Sequence, residues 1–229
     1  MARARVFNVD DAVRTAASLF WEKGYDRTST ADLTTAIGIT PPSLYLAFGS
    51  KEGLFRLALE HYHSGPMAFV EEALKAPTAR EVAERLLHGL ADLHTDPSHA
   101  PGCLGVNSAL PCPAEADSVR RMLFEARGAK RLRLNGRFKR AQRTGDLPKD
   151  VDTDALTRFV QVIGYGMAVE AQSGAQRAQL HRMVDIAMHA WPRAGKRRKL
   201  STRARPRARK SGTQDDRQDA IATPRGRKP

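Results

Sequence analysis

Apolar residues recur at three- and four-residue intervals along most of the first 192 positions, the spacing of one face of an α-helix. Val9, Ala12, Val13, Ala16, Leu19 and Phe20 make the first stripe. Asn8 can cap its start, Asp10 and Asp11 suit the positive end of the helix dipole, and Lys23 with Gly24 marks its close. The stretch from Thr28 to Leu54 then holds three helix starts in succession. Ser29 and Asp32 have capping-box spacing, a hydroxyl at the N-cap and a carboxylate three residues on. Thr40 precedes Pro41 and Pro42, which sit in a first turn where a missing N–H costs nothing. Ser50 opens a helix containing Leu54, Phe55, Leu57 and Ala58. Gly38 falls between the first two, where a tight turn needs positive φ.

The helix after Ser50 runs to about His63, and Ser64-Gly65-Pro66 breaks it. Met67, Val70, Ala73 and Leu74 form a short stripe ended by Pro77, and Val82, Leu86, Leu87, Leu90 and Leu93 a stronger one over 79–94. Thr95 to Gly102 is a loop by composition, and 103–110 reads as a short helix or turn. A long helix over 114–143 turns Val119, Met122, Leu123, Ala126, Leu132, Leu134 and Phe138 inward. After a turn at Thr144 to Pro148, helices over 154–173 and 175–191 close the periodic part of the chain. The first carries Leu156, Phe159, Val160, Ile163, Met167 and Ala168, with Gly164 and Gly166 where another backbone can come close. The second carries Leu180, Met183, Val184, Ala187 and Trp191.

The predicted fold class is all-α. Residues 1–63 form an N-terminal three-helix domain containing a helix-turn-helix, because two short helices joined by a glycine turn have that form. Residues 64–192 form a C-terminal helical domain, and 193–229 a disordered tail without an apolar face.

Charge changes less than its total suggests. Of the formal +13, the segment Arg193 to Pro229 holds 14 Lys/Arg against 3 Asp/Glu, while residues 1–60 hold 7 of each and are neutral. The total therefore does not locate a nucleic-acid face. The tail can hold DNA phosphates without sequence preference, or it is a neutral, solubilising extension. The arm with Arg3 and Arg5 reads either as a minor-groove contact or as a frayed terminus.

The case for DNA rests on Pro41 to Phe48, the helix that would enter a major groove. Leu44 and Phe48 share its buried face, so Pro41, Pro42, Ser43, Leu46 and Ala47 point outward and Tyr45 lies at the edge. A phenol can donate to a phosphate oxygen, and Lys51 at the next helix start can clamp another. With no Arg, Asn or Gln on this helix, base reading falls to hydroxyl, methyl and apolar contacts.

At this point a resemblance becomes specific. Phe20, Gly24-Tyr25, Thr28-Ser29, Asp32-Leu33, Gly38-Ile39 and the run Leu44-Tyr45-x-x-Phe48-x-x-Lys51-Glu52-x-Leu54-Phe55 resemble the N-terminal domain of the TetR (tetracycline repressor) family of transcriptional regulators. That resemblance implies an all-helical subunit of nine or so helices. It implies a homodimer that binds a palindromic operator until a small-molecule effector releases it. By the same resemblance, Thr28, Ser29, Tyr45 and Lys51 look like phosphate contacts. Thr40, Pro41, Pro42, Ser43 and Leu46 occupy positions facing base edges. Pro41-Pro42 departs from the small or polar pair many members carry there, which leaves readout open. Gly102-Cys103-Leu104-x-Val106-Asn107-x-Ala109 is similar to a segment that borders the ligand pocket in one subgroup. Thr144 to Pro148 resembles the connector before the family's dimerisation helices.

The expected function is a ligand-responsive, DNA-binding repressor, with the C-terminal domain holding the effector and dimerising through 154–173 and 175–191. Closure of the monomer's own core is the other reading of those two helices. Leu86, Leu90, Cys103, Asn107, Met122, Arg127, Phe159 and Tyr165 are the expected pocket residues. The alternative is a non-specific or architectural DNA-binding protein driven by the tail. His94, His99, Cys103 and Cys112 cluster without a standard zinc spacing, so metal sensing or a Cys103–Cys112 redox switch stand as further alternatives. No catalytic constellation is legible, and no resident cofactor or metal is expected. No apolar run approaches the roughly 18 residues of a membrane span, so no membrane partner is expected. Two cysteines make no disulfide framework, so the expected setting is cytoplasmic.

Overall fold

The computed structural model describes residues 8–109 and 117–192. Within them the chain forms ten α-helices and no strand. These are α1 (Val9–Lys23), α2 (Thr30–Ile37), α3 (Pro41–Phe48), α4 (Lys51–Ser64), α5 (Phe69–Leu74), α6 (Ala79–His94), α7 (Leu104–Ala109), α8 (Asp117–Arg143), α9 (Thr153–Gln172) and α10 (Arg177–His189). No helix of the described residues is long and apolar enough to cross a membrane.

The expected caps set the helix starts. Asn8 Oδ1 accepts from the N–H groups of Asp10 and Asp11, and Ser29 and Asp32 make both halves of a capping box. Thr40 accepts from the Ser43 N–H and Ser50 from the Gly53 N–H. Each bond satisfies a donor that the first turn leaves without an intrahelical partner. Gly38 closes α2 in the left-handed conformation, φ 77° and ψ 34°. Gly53 serves another purpose: a Cβ there would lie 2.1 Å from the Phe48 carbonyl oxygen, so its absence lets the end of α3 press against the first turn of α4.

Two apolar clusters follow from the stripes. One joins Phe20, Leu33, Leu44, Leu54, Phe55 and Tyr62 of α1 to α4, and it also takes in Leu104 of α7 and Leu123 of α8. The Phe20 and Phe55 rings meet edge to face, 5.0 Å between centroids. The other packs α6 against α8, α9 and α10 through Leu87, Phe138, Met167, Leu180 and Trp191. Each large side chain so buried contributes on the order of 1.5–3 kcal/mol.

The stripe over 114–143 is corrected at one position. Leu132 is 68% exposed rather than inward. It precedes Leu134 by two residues, about 200° around a helix, so the two cannot share a face. The closing helices differ slightly from 154–173 and 175–191, because Asp152 caps α9 at Thr153 and Gln176 precedes α10. The basic tail 193–229, the arm with Arg3 and Arg5, and Cys112 lie outside the described residues.

Candidate nucleic-acid interface and effector cavity

The turn between α2 and α3 spans Gly38, Ile39 and Thr40. Leu44 and Phe48 anchor α3 from beneath, which turns its other positions to solvent. Tyr45 is 51% exposed and Leu46 90%, and Pro41, Pro42 and Ala47 are exposed with them. Thr40 and Ser43 are bonded hydroxyl to hydroxyl at 2.9 Å at the start of this face. Pro41, Pro42, Tyr45, Leu46 and Ala47 together make a contiguous exposed apolar face, which suits contact with another surface. Ser29 is exposed, with its hydroxyl donated to Asp32 Oδ2 at 2.7 Å. The Ser29 hydroxyl and N–H hold the Asp32 carboxyl down at about 2. Lys51 Nζ sits over the Tyr25 ring, 4.2 Å from its centroid, which places its charge beside the N-terminus of α4.

Thr28 is a correction. Its side chain is fully buried and its hydroxyl donates to the Gly24 carbonyl at 2.7 Å. It closes the turn between α1 and α2 and cannot present its hydroxyl to a phosphate. The other eight residues expected at DNA lie along α3 and the starts of α2 and α4.

A cavity of about 130 Å³ lies among α4, α6, α8 and α9. Of the eight residues expected to line it, Leu86, Leu90, Cys103, Arg127 and Tyr165 do so. Asn107, Met122 and Phe159 do not. Asn107 is buried with Nδ2 donated to the Trp21 carbonyl at 2.7 Å. Met122 packs into the cluster under α1 to α4, and Phe159 into the cluster around α6. The sequence reading missed Tyr62, His63, Lys130 and Gln161, which carry much of the wall's polarity. Lys130 follows Arg127 by three positions, so a helical-face argument from Arg127 finds it. Tyr62 and His63 come from a helix assigned to the other domain, and no local signal points to them.

The polar wall is tightly bonded. The Tyr62 hydroxyl donates to Cys103 Sγ at 3.3 Å, and burial, then Cys103, pushes that phenol up. Lys130 Nζ donates to His63 Nε2 at 2.9 Å. Burial, then the Lys130 charge, holds His63 down at about 4, so its ring is neutral at pH 7 and can accept that bond. Arg127 donates to the Gly105 carbonyl at 3.0 Å and lies over the Tyr165 ring, 5.2 Å from its centroid.

The turn around α7 touches both places. Cys103, Gly105 and Val106 line the cavity. Gly102 accepts from the Trp21 indole at 3.1 Å, and Asn107 holds the Trp21 carbonyl, so the same turn grips the end of α1. Gly24 sits against it with φ 78°, where a Cβ would meet the Asn107 carbonyl oxygen at 2.7 Å. A second link joins the α4 and α8 starts, the Ser118 hydroxyl donating to Glu52 Oε2 at 2.7 Å. Of the histidines considered as metal ligands, His94 bonds the Gly102 carbonyl at 3.1 Å and His99 stacks on Trp21 at 3.8 Å.

A helix-turn-helix whose second helix turns a continuous face outward, carried on a larger helical body, defines a DNA-binding regulator. Residues 12–58 match the family described as bacterial regulatory proteins, tetR family. The TetR family transcriptional regulator CifR, solved as a cysteine mutant with 26-base-pair operator DNA, is 39% identical, with a TM-score of 0.79 over 83% of this chain and 100% of that one. The transcriptional repressor ComR of Escherichia coli (strain K12) is 28% identical over 197 residues, 83% of this chain and 91% of that protein. The repressor BdcR of the same organism is 39% identical over 103 residues, 45% of this chain and 51% of that protein. The chain belongs to the TetR family. It is a helix-turn-helix transcriptional regulator rather than an enzyme, and an architectural protein driven by its tail is not favoured.

Proposed function

We propose that the protein is a cytoplasmic repressor that binds a palindromic operator as a homodimer and leaves it when a small molecule fills the cavity. Residues 1–63 serve DNA, and residues 64–192 serve the effector and the dimer. Tyr45, Lys51 and Ser29 contact phosphates, and Thr40, Pro41, Pro42, Ser43 and Leu46 face base edges. Operator complexes of the similar CifR support the DNA half of this reading. Dimerisation through α9 and α10 is supported by Val162, Val169 and Ile186, which are 64%, 41% and 71% exposed on those helices. An apolar face of this kind is what a two-fold four-helix interface covers.

The α7 turn carries the reading of regulation. It lines the cavity on one side and bonds the end of α1 on the other, so a ligand that moves it also moves the helix-turn-helix. Such a ligand releases DNA only as far as it prefers the non-binding state. Footprinting of genomic DNA near the gene tests the function. The expected result is a discrete palindrome with half-sites one helical turn apart, retained when the chain ends at Pro192. Loss of all binding in that truncation would favour a tail-driven architectural protein instead.

A further inference from the structure

The cavity has charge on one side only. Its apolar wall includes Leu59, Leu86, Leu90, Leu123, Leu134 and Val160. Among the described residues, no Asp or Glu lines it, while Arg127, Lys130 and Arg133 do. Arg133 is answered from outside by Glu71, at 2.7 and 2.6 Å in a two-pronged pair. Among the described residues, Arg127 and Lys130 meet neutral partners, the Gly105 carbonyl and the Tyr165 ring for Arg127 and the His63 ring for Lys130. They are three residues apart on α8 and share one face. Two cations held against an apolar wall with neutral acceptors are under-compensated, and an anion between them regains the lost interaction. Burial pulls the Lys130 ammonium down, with Cys103 opposing and the neighbouring Arg127 adding to the shift.

We propose that this cavity takes a small aryl or short branched carboxylate, its anionic end between Arg127 and Lys130 and its apolar end among the leucines. The proposal rests on reading the cavity as the effector site. Size bounds the apolar end: a cavity of ~150 Å³ holds one benzene ring, and at about 130 Å³ this one takes no apolar group larger than a single ring or a short branched chain. The guanidinium of Arg127 suits a two-pronged carboxylate contact. Lys130 keeps N–H donors beyond the one given to His63, since an ammonium has three. Gln161 and Tyr165, 3.5 Å apart on α9, offer further donors at the same wall.

Calorimetry on the full-length chain tests it with benzoate and phenylacetate against benzyl alcohol and benzamide, which match them in size without the charge. The carboxylates should bind about 10- to 100-fold more tightly, the range of a hydrogen bond to a charged group. Lys130→Met should remove most of that preference, and Lys130→Arg should keep it. Equal binding of acids and neutral analogues, or binding of no acid at all, overturns the proposed ligand class. Operator release is read separately by fluorescence anisotropy. Neutral analogues that bind and release DNA would leave the effector site standing and remove the anion. Acids that bind through Lys130 without releasing DNA would keep the anion and remove the effector reading.

Discussion

The Trp21 indole donates to the Gly102 carbonyl at 3.1 Å, a buried bond between residues 81 positions apart. It ties the last turn of α1 to the segment that enters the cavity wall at Cys103. Trp21 also meets Tyr62 edge to face at 4.8 Å and His99 in a stack at 3.8 Å, so the ring is fixed on several sides. Trp21→Phe keeps most of that packing and removes the donor. His94 also bonds the Gly102 carbonyl, which is therefore not left orphaned. The stability cost should be about 1 kcal/mol in urea unfolding. Operator affinity should stay close to wild type, while effector-driven release weakens. Unchanged release would show that the signal does not pass through this bond.

The α3–α4 corner should be intolerant of any side chain at Gly53. Ala at this position would place Cβ 2.1 Å from a backbone oxygen, which cannot rotate away as a side chain could. Gly53→Ala should destabilise by about 1–3 kcal/mol and should impair DNA binding by tilting α3. A variant with wild-type stability and operator affinity would mean that the corner relaxes freely.

On α3, two neighbours should behave differently. Tyr45→Ala removes a proposed phosphate donor, so binding should weaken by a similar factor for all operator sequences, ~1 kcal/mol. Leu46→Ser removes the most exposed apolar side chain on the face. Its loss should alter which bases are preferred more than the overall affinity. Binding measured across a randomised operator library separates the two patterns. A uniform loss from Leu46→Ser would place that residue off the base edges.

The caps were legible in the sequence because they are local. Asn8, Ser29, Thr40 and Ser50 act within three residues, and one sequence window contains donor and acceptor together. The cavity was legible only where a stripe pointed at it. Leu86 and Leu90 on α6 are i and i+4 and both line the wall. On α9 the wall takes Val160, Gln161, Gly164 and Tyr165, and Phe159 one position earlier packs on the same apolar cluster as Val160 without reaching the cavity. On α8 it takes Leu123, Ala126, Arg127 and Lys130, and Met122 misses by the same single step. One residue is about 100° of helix rotation, finer than an apolar stripe defines without knowing what packs opposite. Thr28 differs from the exposed Ser29 for a related reason: a motif match marks a position, and only the packing of the turn back to Gly24 shows that the Thr28 side chain is fully buried.

Dimerisation can be tested without disturbing the subunit. Val162 and Ile186 are 64% and 71% exposed, so changing them should alter monomer stability by no more than about 0.5 kcal/mol. Val162→Asp with Ile186→Asp would place like charges on the proposed two-fold face. Sedimentation should then report a monomer, and operator affinity should drop steeply because each half-site would be bound alone. A dimer that survives both substitutions would move the interface elsewhere, for example to α8, where Phe124 and Leu132 are 66% and 68% exposed.

Stability should fall on mild acidification, and His94 supplies the sign. Its ring is buried, 1% exposed, and burial holds it at about 4 against an ordinary 6.5, the carbonyls of Gly102 and Gly164 opposing only in part. The folded state therefore keeps the ring neutral where the unfolded chain already binds a proton. Between pH 6.5 and about 4 the unfolded state gains that proton alone, so stability is full above this window and is lost as pH falls through it. The loss from His94 alone is about 3 kcal/mol at most. His63 acts in the same direction, since it too is held at about 4. Urea unfolding across the window should show the decline, and His94→Gln, which keeps an amide donor for Gly102, should flatten part of it. An unchanged slope in that variant would assign the acid sensitivity to His63 and other groups.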